Sequence, residues 1–143
     1  MRIGFHVSIF GGISKAVDRA LDLGCNTFQI FTSNPRAWKP KELKKGETQT
    51  FIEKMSSADL KPVFGHMPYL PNLASPKRVV YRKSIETLKH ELERCRMLEI
   101  PYLVTHLGSH LGTGMQAGFK RIIKSVDEAF GVAGEGVMLL LEN

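Results

Sequence analysis

The sequence predicts an α/β domain, a parallel sheet crossed over by helices. Three observations predict it. Five short apolar segments rich in β-branched and aromatic residues alternate with four stretches of amphipathic spacing. Each apolar segment is bounded by Gly, Pro or polar residues, as buried strands are. The spacing between units is irregular, which argues against a short solenoid repeat. A chain of 143 residues that is 43% hydrophobic and 24% charged suits one domain with its own core. That composition excludes a disordered chain, a collagen-like repeat and a disulfide-stapled miniprotein.

The elements follow in order. Arg2–Val7 reads as the first strand. From Gly12 onward, Ile13, Val17, Ala20 and Leu21 share one helical face, and Gly24 is a natural stop. Thr27–Thr32 is the second strand, followed by the longest polar insertion, from Asn34 to Gly46. Phe51, Ile52 and Met55 mark a second helix, and Lys61–His66 a third strand. Met67–Leu73 is a Pro-bearing loop. Ser75 is placed to cap a long third helix, with Pro76 in its first turn and Ile85, Leu88, Leu92 and Cys95 along one side. Tyr102–His106 is the fourth strand. Thr113 is placed to cap the fourth helix, which carries Phe119, Ile122, Ile123, Val126 and Phe130. Val137–Glu142 is the fifth strand. Helical crossovers require parallel pairing. Four βα units and a closing strand amount to half of an eight-fold (β/α) barrel, which takes about 250 residues. The expected architecture is therefore of (β/α)8 TIM-barrel type, here about half a barrel with five parallel strands and four helices. Ending directly after a strand, it reads as a truncated chain or a fragment.

Twenty Lys and Arg against fourteen Asp and Glu give a net charge of +6, which favours a polyanionic partner. Charge alone slightly favours the plainer reading of a soluble basic surface. Clustering sharpens it: Arg36, Lys39, Lys41, Lys44 and Lys45 surround Trp38, and Lys77, Arg78, Arg82 and Lys83 form a second run. Cys25 and Cys95 are isolated, lack a CxxC partner, and read as buried thiols in a reducing, cytoplasmic setting. No apolar run approaches the roughly 20 residues a membrane helix needs, and no signal peptide is expected.

Functional groups of parallel α/β sheets sit at the C-terminal ends of strands. Here the first strand ends near His6, the third at His66, the fourth at His106 and the fifth at Glu142. Taken singly, His66 and His106 are each better explained as a satisfied buried ring. Together, His66, His106 and Glu142 at matching positions suit a borderline cation such as zinc, with room left for water. Such an ion acidifies water and stabilises charge on a phosphoryl or carbonyl oxygen. Glu142 alone is also readable as a general base or a cap for a following unit. His6 is expected to orient a neighbour by a hydrogen bond, and His110 to structure its Gly-rich loop or touch substrate. His90, Glu47, Glu53 and Glu128 read as solvated helix residues. No phosphate-binding Gly-rich loop, serine elbow or activated cysteine is present.

Five segments carry a resemblance: GFHVSIFGGI, FQIFTSNPRAW, FGHMPYLPNL, VTHLGSHLG and LLLEN. They resemble, in order, the endonuclease IV family of zinc-dependent apurinic/apyrimidinic endonucleases, over about the first half of a family member. The resemblance implies that 1–143 is the N-terminal half of a TIM-barrel domain. It implies a DNA repair hydrolase that cuts the phosphodiester 5′ to abasic sites in double-stranded DNA, with three zinc ions and a metal-held hydroxide as attacking group. By resemblance, His66 and His106 ligate one zinc, and Glu142, catalytic in this sense, bridges it to a second. The remaining ligands match nothing in this chain, so at most one site is complete and the isolated chain is expected to be inactive or nearly so. Arg36 and Tyr69 match positions that wedge into DNA. Ala37 stands where the family often has an amide.

Two other readings stay open. A sugar isomerase or epimerase on the same barrel would use the His and Glu residues for a single divalent ion, with no need of the Arg36–Lys45 insertion. A non-catalytic DNA-binding fragment would self-associate through exposed sheet edges, and self-association is expected in any case.

Overall fold

The computed structural model describes residues 1–134 and 136–143. Its elements are α1 (Lys15–Asp22), β1 (Phe28–Phe31), α2 (Lys45–Ser57), β2 (Val63–His66), α3 (Arg78–Met97), β3 (Tyr102–His106), α4 (Met115–Ala133) and β4 (Met138–Glu142). The four strands form one parallel sheet in sequence order.

Four strands stand where five were expected. Arg2–Val7 does run alongside β1, but only His6 makes a parallel bridge, to Gln29. The Gln29 amide donates to the Phe5 carbonyl at 3.0 Å, and the Val7 amide to the Gln29 carbonyl at 2.9 Å. Among the described residues the segment has no partner on its other side, so the ladder does not extend to a full strand. It lies close enough that a Cβ on Gly4 would sit 1.7 Å from the Thr27 carbonyl oxygen. That position requires glycine.

The strand register sorts the side chains onto two faces. Phe28, Ile30, Val63, Gly65 and Leu103 face the helices and are buried. Phe51 and Met55 of α2 and Leu88, Leu92 and Cys95 of α3 complete that core. On the other face Phe31, Phe64, Tyr102, Val104 and Leu140 are half-buried. Phe64 and Tyr102 stack there at 5.2 Å. One covered face and one half-open face are what an incomplete barrel wall presents.

Helix starts differ from the expected caps. α3 begins after Lys77 with no side-chain cap. Ser75 instead accepts from the Lys77 amide at 3.2 Å, a turn just ahead of the helix. α4 begins after Gly114 at φ 93°, and Thr113 donates back to the His110 carbonyl at 2.7 Å. Gly24, at φ 69°, ends α1 as expected. Ile122, Val126 and Phe130 of α4 pack against the core, whereas Phe119 and Ile123 are exposed because α4 is flanked by α3 on one side only. Glu47 and Glu128 are not free solvated charges. Glu47 accepts from the Ile13 amide at 2.6 Å beside the start of α1, and Glu128 pairs with Arg82 and Lys89 at 3.1 Å each, joining α4 to α3. Cys25 and Cys95 are both buried free thiols, and burial pushes the Cys95 thiol far up.

Candidate metal centre and nucleic-acid interface

The register also aims the strand ends. His106 and Glu142 are direct partners across β3 and β4. His66 is paired with Val104, two residues before His106. A shift of two residues keeps the same face, so all three side chains point to the half-open side at one end of the sheet. His66 Nε2 lies 3.2 Å from Glu142 Oε2, and His106 Nε2 lies 3.8 Å from the same oxygen. One ligand atom from each residue falls within 4.8 Å of the others.

The hydrogen bonding of His66 fixes what this cluster presents. Its Nδ1 lies 2.7 Å from the Met67 carbonyl oxygen, which only accepts. Nδ1 therefore carries a proton and donates it to that carbonyl, which leaves Nε2 turned toward Glu142. With Nε2 unprotonated, a cation between it and the Glu142 oxygen 3.2 Å away would satisfy both. A tetrahedral zinc ion holds its ligand atoms about 3.3 Å apart, from bond lengths of about 2.0 Å. The donor set of two imidazoles and a carboxylate fits that ion, and leaves one face open. His66 is buried at 8% side-chain exposure, while His106 and Glu142 are open to solvent at 54% and 50%.

His6 stands beside this group, not in it. Its ring lies 6.0 Å from that of His66 and 4.4 Å from that of Phe31. Its Nδ1 is 2.9 Å from Gln29 Oε1. Burial holds its pKa below the ordinary value, against the Gln29 hydrogen bond and with a smaller push from His66. His110 is spent on its own loop: its Nδ1 accepts from the Gly114 amide at 3.2 Å, and its carbonyl accepts from Thr113. His90 is exposed on α3.

Arg36 and Tyr69 come from different loops and are brought to one rim. The Tyr69 amide donates to the Pro35 carbonyl at 3.1 Å, tying the two loops together. The Tyr69 ring packs edge-on to Phe31 at 5.0 Å and is 62% exposed. Arg36 is exposed, and its amide is turned by Asn34 Oδ1 at 3.0 Å. Trp38 is half-buried, with Lys83 Nζ 5.5 Å from its ring centroid, so the two basic runs meet in space.

Sequence reasoning missed the residues that hold these loops. Asn72 Oδ1 accepts from the Ser109 and Ala74 amides at 3.0 Å each, and Asn72 Nδ2 donates to the Ser109 carbonyl. Buried Glu91 accepts from Thr32 and Ser33, and Arg94 reaches Thr32 and Lys41. The Gly108 turn facing Asn72 was a local signal, but Glu91 had none.

Residues 17–143 match the family model of the xylose isomerase-like TIM barrel. This chain belongs to that family. A Methanoculleus marisnigri protein named probable endonuclease 4 is 56% identical over 142 residues, 99% of this chain and 50% of its own length. The crystal structure of endonuclease IV from Thermus thermophilus superposes with a TM-score of 0.89 at 34% identity, over 100% of this chain and 52% of that one. The resemblance to endonuclease IV thus extends along the whole chain, which spans about half the length of the curated relatives it matches. The crystal structure of a D-tagatose 3-epimerase-like protein matches at a TM-score of 0.70 with 16% identity, over 99% of this chain and 53% of that one. That likeness shows the shared fold alone. No helix among the described residues is long and apolar enough to cross a membrane.

Proposed function

We propose that this chain is the N-terminal half of a DNA repair endonuclease that hydrolyses the phosphodiester 5′ to abasic sites. The observation that carries the reading is the convergence of His66, His106 and Glu142 on one face, with His66 Nε2 and a Glu142 oxygen 3.2 Å apart. A zinc ion at these residues would supply charge neutralisation and an acidified water at the phosphodiester. His66 would hold it through Nε2, fixed by the Met67 carbonyl. His106 and Glu142 are open to solvent and would face the substrate phosphate, with Glu142 free on one side to reach a second ion. Arg36 would neutralise backbone phosphate, and exposed Tyr69 would fill the space left by the missing base. Extruding an abasic nucleotide needs no base to be unstacked, which makes it cheap to read. By itself the chain binds zinc and DNA but is inactive or nearly so, since it holds ligands for at most one complete ion. A reducing, cytoplasmic setting belongs to the same proposal.

The test pairs metal content with binding to duplex DNA carrying a stable abasic analogue. The wild-type chain should purify with about one zinc and bind that duplex; Arg36→Ala and Tyr69→Ala should weaken binding with zinc unchanged. A folded chain without zinc would end the metal reading. Zinc without DNA binding, together with turnover of a ketose, would return the site to the epimerase class.

Self-association is part of the proposal for the chain at this length. Ile3 and Phe5 at one edge of the sheet, and Met138 and Leu141 at the other, are exposed. A second copy would cover both edges. Light scattering should find a dimer, and a monomer at high concentration would refute it.

A further inference from the structure

The basic insertion has no secondary structure between Phe31 and the start of α2 at Lys45. A loop that long and that charged should wander. Beside the backbone bond from the Tyr69 amide to the Pro35 carbonyl, it is held by side chains of one helix, α3. Glu91 is 1% exposed. It accepts from Thr32 Oγ1 at 2.5 Å and from Ser33 Oγ at 2.8 Å, at the root of the loop. One turn on, Arg94 donates from Nε to Thr32 Oγ1 at 3.0 Å, and also to the Thr32 carbonyl. Its other terminal nitrogen donates to the Lys41 carbonyl at 2.7 Å, nine residues further along the loop. Midway, Lys83 lies over the Trp38 ring.

One helix therefore grips the insertion at its root, middle and far side. Glu91 and Arg94 touch none of the three candidate metal ligands. Nothing in the core requires a carboxylate there: the neighbouring buried positions of α3 are Leu88, Leu92 and Cys95. A carboxylate and a guanidinium are what bind hydroxyls and carbonyls of an irregular backbone, because each satisfies several groups at once. An arm held at both ends presents Arg36 in one place, so binding does not have to order it.

We infer that Glu91 and Arg94 are positioning residues for the DNA-facing loop, setting Arg36 and Trp38 from behind without contacting DNA. The DNA part of this inference rests on the proposed function; the loop part does not. The experiment is amide hydrogen exchange of the whole chain, in wild type, Arg94→Lys and Glu91→Gln, alongside zinc content and affinity for the abasic-analogue duplex. Arg94→Lys keeps the charge and loses the fork; Glu91→Gln keeps the shape and loses one acceptor. Amides of residues 33–41 should exchange at least tenfold faster in both variants, those of β2 and β3 should not change, and zinc content should hold. Duplex affinity should fall about threefold to tenfold. Unchanged exchange in 33–41 would overturn the inference, as would an equal rise in exchange across the sheet, the mark of simple destabilisation. If wild type binds no DNA, the proposed function fails while the exchange result still decides whether these residues hold the loop.

Discussion

The mouth of the sheet and the underside of the loop beside it are built from similar residue types to opposite ends. At the mouth, His106 and Glu142 are about half exposed, and His66 Nε2 faces a carboxylate. Under the loop, Glu91 is closed off, with Thr32, Ser33 and Arg94 around it. No buried side-chain polar atom among the described residues is left without a partner. The first arrangement stands open to solvent and to a cation, and the second is closed around its own partners. An acidic residue near a binding site is thus no sign of what it does; the state of its partners is.

The largest expected effect breaks the first region. His106→Ala should take zinc from about one per chain to none while the fold persists, since His106 is exposed and its loss opens no cavity. Elemental analysis of the purified variant checks this. Retained zinc would mean that another residue completes the site.

The next effect sharpens the second region. Burial raises the Glu91 carboxyl above its ordinary 4.5, against the Thr32 and Ser33 hydrogen bonds and the charges of Arg94 and His90. At pH below 4.5 the folded and unfolded chains both hold that proton. As pH rises, the unfolded carboxyl ionises first, so this contribution to stability falls until the folded one ionises too. Glu91→Gln should flatten the decline in the urea midpoint as pH rises above 4.5. At low pH the variant should still lose about 1–3 kcal/mol for the broken network. Equal slopes in both proteins would mean that Glu91 is ionised throughout.

Smaller still is Arg36→Ala, with about 1 kcal/mol lost in duplex affinity and a salt slope reduced by about one unit. A loss independent of salt would point to packing and not to phosphate. The smallest is Asp127→Asn, exposed on α4. It should leave zinc, DNA affinity and loop exchange unchanged within error.

The sheet was largely legible because strands announce themselves locally: Phe28, Ile30, Val63 and Leu103 are apolar where they face helices. The end of each strand is a local fact too, so His66, His106 and Glu142 could be named as a group before their distances were known. The first strand was over-read, since Arg2–Val7 has the composition of a strand but a ladder needs neighbours that composition does not record. Glu91 and Arg94 were illegible for a different reason. Their partners lie 53 to 62 residues away, and on the helix they look like ordinary solvent-facing charges. The same holds for Glu47, whose partner is an amide 34 residues back.

At the far edge of the sheet, β4 has no fully buried residue. Its final side chain, Glu142, would share a cation with His106 and His66, which stand on two earlier strands. A cross-link closing loops of several tens of residues removes on the order of 4 kcal/mol of freedom from the unfolded chain. The ion would then act as a clasp as well as a reagent: the edge strand would fray when it leaves and lie flat when it returns. Stripping the metal should loosen the amides of Leu139, Leu140 and Leu141 before it disturbs the helices.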